Sequence, residues 1–85
     1  MEKPVWLNEA QIKQTLDARE MLASGAHPLE QVMSDIAAFA PGEIYELITP
    51  FPPAPLIEKV VNLGFETYSE QNGPGLIRNF FRKKQ

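Results

Sequence analysis

Residues 16–39 read LDAREMLASGAHPLEQVMSDIAAF, a strand, a loop and an amphipathic helix in succession. Leu16-Asp17-Ala18 reads as a short strand, and the Ser24-Gly25 pair marks Arg19 to Ala26 as a loop. Pro28 suits the first position of a helix, because its φ is already helical and its missing N–H would have had no partner there. The pattern predicts a helix with His27 at its cap and Glu30 at its third position, where a carboxylate meets the positive helix end. Leu29, Val32, Met33, Ile36 and Phe39 then recur at helical spacing and give one continuous apolar face. Ala40-Pro41-Gly42 ends the helix and turns the chain.

Downstream, Glu43 to Thr49 carries the β-branched and aromatic residues of a second strand, with Tyr45, Leu47 and Thr49 on one side and Ile44, Glu46 and Ile48 on the other. Pro50 to Pro55 cannot continue a ladder, since four of its six residues lack a backbone donor, and it reads as a stiff loop. Leu56, Ile57, Val60, Val61 and Leu63 mark a second helix, which Gly64 is placed to end. Phe65 to Gln71 and Leu76 to Lys83 read as two strands joined by the turn residues Asn72-Gly73-Pro74-Gly75.

The order β-α-β-α-β-β predicts an α+β fold, a two-layer α/β sandwich with a mixed four-stranded sheet. Helical crossovers make the first three strands parallel and the hairpin adds an antiparallel fourth. Both helices are expected on one face, with the other open. Residues 1–14 read as a lead-in segment that docks loosely, and 15–85 as a single domain.

Eighty-five residues with 44% hydrophobic and 22% charged content fit one small globular domain. No secretion signal or membrane-spanning run is expected, so the location is read as cytoplasmic. The chain has no cysteine, which removes disulfides, thiolate metal sites and thiol nucleophiles. Residues 1–77 hold a net charge of -7 and the last eight hold +4, from Arg78, Arg82, Lys83 and Lys84.

In the expected topology, the loop after the first strand, the proline loop and the Asn72 to Gly75 turn share the carboxyl edge of the parallel strands, where open α/β sheets bind ligands. Arg19, Ser24, His27, Phe51 and Asn72 are the candidates to line it. Two helix amino termini face the same edge and welcome an anion. Each residue also has a plainer reading: His27 as a cap or surface residue, the prolines as a rigid connector, the basic end as a solvated strand. No phosphate-binding loop, dinucleotide fingerprint, nucleophile elbow or zinc motif is present, and no catalytic residue, metal or cofactor is expected.

Leu16-Asp17-Ala18-Arg19, His27-Pro28-Leu29 and Pro41-Gly42-Glu43-Ile44, followed by the strand, proline loop, helix and hairpin, resemble the TusA/SirA-like family of small sulfur-carrier proteins. The likeness is greater to its uncharacterised bacterial branch, domain of unknown function 2249, and spans about Leu16 to Arg82. The resemblance implies a two-layer sandwich. It also implies a persulfide cysteine before the proline at the first helix, a position held here by His27, and imidazole cannot carry sulfane sulfur. The uncharacterised branch commonly lacks that cysteine.

Three functions follow as expectations. The first is a non-enzymatic binding or regulatory module that takes a partner protein at the edge around His27, with a homodimer through Ile44 and Ile48 on the open sheet face as a further option. The second is small-ligand or metal binding at the same edge, for which the resemblance implies redox or nitrogen-oxide metabolism. The third, less favoured in an acidic chain, is nucleic-acid binding through the basic carboxyl terminus.

Overall fold

The computed structural model describes residues 3–84; Met1, Glu2 and Gln85, which the domain reading included, lie outside the described residues. A 3-10 turn at Glu9–Gln11 leads into β1 (Ile12–Asp17). There follow α1 (Arg19–Ala23), α2 (Leu29–Ile36), β2 (Ile44–Thr49), α3 (Ala54–Asn62), β3 (Phe65–Gln71) and β4 (Ile77–Lys83). The architecture is the expected α+β one, a four-stranded mixed sheet in the order β1-β2-β4-β3. β1 and β2 are parallel, and β4 runs antiparallel to both β2 and β3. The crossover through α3 leaves a gap one strand wide beside β2, and the hairpin turns β4 back into it.

Two local readings change. The first strand begins at Ile12 rather than Leu16, because β1 is an edge strand whose Lys13, Gln14 and Thr15 are exposed and so carry no apolar signal. Residues 19–23, expected as loop, form the one-turn helix α1, secured where Leu22 N–H donates to Ala18 O at 2.9 Å. Five residues are too few to display a helical period.

One face of the sheet meets the helices. Tyr45, Leu47, Phe65 and Phe81 pack there against Val32, Ile36 and Phe39 from the α2 side and Leu56 and Val60 of α3. The Tyr45 ring lies 5.8 Å from Phe39 and 6.2 Å from Phe81, centroid to centroid. Its hydroxyl donates to Asp35 at 2.7 Å, and burial, more than that bond, pushes the phenol well above its ordinary pKa.

The other face is not open, and here the structure corrects the expectation. Ile44 and Phe80 point away from the helices, yet both have 0% exposure. The amino-terminal segment crosses above them. Lys3 Nζ stands 3.4 Å from Glu70 on β3, Glu9 accepts a 3.0 Å hydrogen bond from Arg78 on β4, and the chain then enters β1. Pro4, Trp6 and Leu7 are half-buried between those anchors. Beneath them Arg78 also bonds Glu46, itself bonded by Thr15, and lies 4.9 Å from the centre of the Phe80 ring. Ile44, expected as a dimer contact, is therefore covered by the protein's own chain, and Ile48 is half-buried. Among the described residues no helix is long and apolar enough to cross a membrane.

Deletion of residues 1–11 uncovers Ile44 and Phe80, and full burial of such a side chain stabilises by about 1.5–3 kcal/mol, so a loss of roughly 3 kcal/mol is expected in urea unfolding. The Glu9 anchor adds a pH signature. The hydrogen bond from Arg78, and then its charge, hold the Glu9 carboxyl below its ordinary value of 4.5. A lowered folded pKa gives a contribution that is present above 4.5 and is lost as pH falls through the lowered value. Trp6 emission should therefore change on acidification, and Glu9→Gln should abolish that part of the change.

Candidate functional site

At the carboxyl ends of β1 and β2, the turn after α1 and the proline loop after β2 face each other across a cleft of about 430 Å³. One wall is Leu22 with the run from Gly25 to Leu29, and the other is Phe51, Pro53, Pro55, Leu56 and Lys59. The walls follow from the sequence. Pro50, Pro52 and Pro53 cannot extend the β2 ladder, so the chain leaves the sheet and re-enters as α3, with Pro55 in its first turn. On the facing side Gly25, at φ +87°, allows the reversal between α1 and α2.

The lining is largely apolar. Its ionisable residues are His27 and Lys59, one on each wall, and no carboxylate joins them. Both are exposed, and among the described residues Lys59 has no ion-pair partner. Pro28 O accepts the first helical bond of α2, from Val32 N–H at 2.9 Å, so the N–H groups of Leu29, Glu30 and Gln31 precede it without an intrahelical acceptor.

Of the five residues expected at this edge, His27 and Phe51 meet in the cleft. The other three do not. Arg19 lies in a separate groove with Asp17, Glu20 and Ala23, clamped by Asp17 through bonds of 2.9 and 2.7 Å. That hydrogen bonding lowers the Asp17 pKa. Ser24 donates to Met21 O at 2.8 Å, and Asn72 donates to Glu70 at 3.2 Å in the β3–β4 turn. His27 is also not the helix cap: Pro28 occupies that position and makes no side-chain capping bond.

Leu22, Leu56 and Lys59 were missed as site residues. Leu22 depends on α1, which the sequence did not signal. Lys59 is open to discovery, as the single Lys or Arg between Arg19 and Arg78, three residues after Leu56 on a helix that starts at the proline loop.

A buried hydrogen-bond chain fixes the proline loop. Ser69 Oγ donates to Asn79 Oδ1 at 2.7 Å, and Asn79 Nδ2 donates to Leu47 O at 2.9 Å and Thr49 Oγ1 at 3.1 Å. Thr49 Oγ1 in turn donates to Phe51 O at 2.7 Å. Asn79 and Thr49 are fully buried, so no solvent replaces these partners. The chain spans three strands and ends on the carbonyl of the residue that walls the cleft.

Thr49→Val removes the donor to Phe51 and strands one Asn79 hydrogen, at about 1–3 kcal/mol for an unsatisfied buried group. Urea unfolding should show that loss as a lower midpoint, and Thr49→Ser, which keeps the hydroxyl, should restore most of it.

Residues 15–83 match the family described as "Uncharacterized conserved protein (DUF2249)". No curated protein matches the chain.

Proposed function

The chain belongs to the DUF2249 family, and for it we propose a non-enzymatic binding or regulatory module whose recognition surface is the cleft between the α1–α2 turn and the proline loop. The observation that carries this reading is the convergence of His27 and Phe51 on one apolar cleft with proline-stiffened walls, at the edge where open α/β sheets take ligands. A volume of about 430 Å³ lies within the range of small-molecule sites. The wider kinship to TusA/SirA-like carriers belongs to the same proposal, supported by the β-α-β-α-β-β order and by His27-Pro28 standing where those carriers hold their cysteine and proline. On that kinship the scaffold is kept and sulfur transfer is not, and the protein works in the cytoplasm.

The cleft favours a binding module over a metal site or a nucleic-acid surface. A metal at His27 would need further ligands, and the lining supplies no carboxylate or second imidazole. For nucleic acid, Arg78 and Arg82 are engaged by Glu9, Glu46 and Glu66, which leaves Lys83 and Lys84 of the basic cluster.

Nile red, a neutral apolar fluorophore, tests the cleft. The wild-type protein should enhance its emission. Ala26→Trp, at an exposed lining position, should fill the cleft and remove the enhancement, whereas Ala37→Trp, exposed and outside it, should not. No enhancement by the wild type, or equal enhancement by Ala26→Trp, overturns the reading.

A further inference from the structure

We infer that the cleft takes a small apolar monocarboxylate, its hydrocarbon body between Leu22, Phe51 and Leu56 and its carboxylate drawn to Lys59 and His27. The inference rests on the cleft as binding surface and adds the chemistry of its occupant. It starts from a charge asymmetry. The protein carries a net charge of -3, with 11 acidic residues against 8 Lys and Arg, yet the ionisable groups lining the cleft are one ammonium and one imidazole. Elsewhere, among the described residues, five bases meet acids, Lys3 with Glu70, Lys13 with Glu43, Arg19 with Asp17, Arg78 with Glu9 and Glu46, Arg82 with Glu66, and the two that do not, Lys83 and Lys84, lie beside the amino end of β2, at the edge of the sheet opposite the cleft. Lys59, among the described residues, meets none, and it stands at the cleft.

The α2 amino terminus reinforces the same sign. Gly25 to Leu29 form one wall, and the free N–H groups of the first α2 turn begin at Leu29, where a partial positive charge favours an anion. Both walls therefore select against a cation. A neutral alcohol would fill the apolar part without using either charge. A carboxylate attached to an apolar body uses both features, because the polar head remains near solvent while the body leaves water. A free small molecule fits this cleft better than a protein carboxyl terminus, whose backbone polar groups would meet apolar walls with few hydrogen-bonding partners.

The test is an amide NMR titration with octanoate, octanol and octylammonium, each below its aggregation concentration, and with an acetylated peptide ending in leucine. Octanoate should shift the amides of Leu22, Ala26, His27, Leu29, Phe51 and Lys59 and bind about fivefold more tightly than octanol, a charge-assisted contribution of about 1 kcal/mol. Octylammonium should bind more weakly than either. Lys59→Gln should reduce the octanoate preference and leave octanol binding unchanged, and Lys59→Arg should restore it. Equal affinity for octanoate and octanol, an unaltered preference in Lys59→Gln, or tighter binding of the peptide overturns the inference while leaving the cleft as the recognition surface. Failure of all four probes to shift cleft amides overturns both.

Discussion

The sheet is only four strands wide, and β2 and β4 form its middle. Both strands present apolar side chains in both directions: Tyr45, Leu47 and Phe81 one way, Ile44 and Phe80 the other. A chain of this size buries only about 60% of the surface its unfolded form exposes, so leaving either apolar side wet would cost a large part of a small stability. Two different solutions cover the two sides. α2 and α3 form a conventional apolar layer on one. On the other, a segment with almost no secondary structure is held by long-range ion pairs at Glu70 and Arg78.

The candidate site is a by-product of how the helical layer must begin. Proline forces the chain out of the plane of β2, and α3 cannot start until the chain has risen to the level of the helices. The space left below that rise, opposite the turn from α1 into α2, is the cleft. Such a space would close by collapse if the loop were free to move. The hydrogen-bond chain from Ser69 through Asn79 and Thr49 to Phe51 O opposes this, which gives a physical reason for two fully buried polar side chains in the middle of the sheet.

Much of this was legible in the sequence, for reasons that also explain the failures. The α2 period and the proline loop state their structure locally, and β3 was read to its observed ends from Phe65 to Gln71. His27 and Phe51 were found because topology alone places the ends of parallel strands together. Arg19, Ser24 and Asn72 satisfied the same topological criterion and failed on a local one: each side chain is engaged by a partner two or three residues away, Asp17, Met21 O and Glu70. Those near neighbours were visible, and weighing them would have removed all three. The covering segment was different in kind. Glu9 and Arg78 stand 69 positions apart, and nothing in the periodicity of residues 3–11 shows which face they lie on.

The family match begins at residue 15, whereas the cover over Ile44 and Phe80 lies in residues 3–11. The matched span of this chain thus holds a sheet finished on one side. A relative reduced to the matched span would have to supply its own roof, from a flanking sequence, a fused domain or polar replacements at the positions of Ile44 and Phe80. The cover of this chain therefore comes from outside the matched span, while its three helices, β2, β3, β4 and the cleft lie within it.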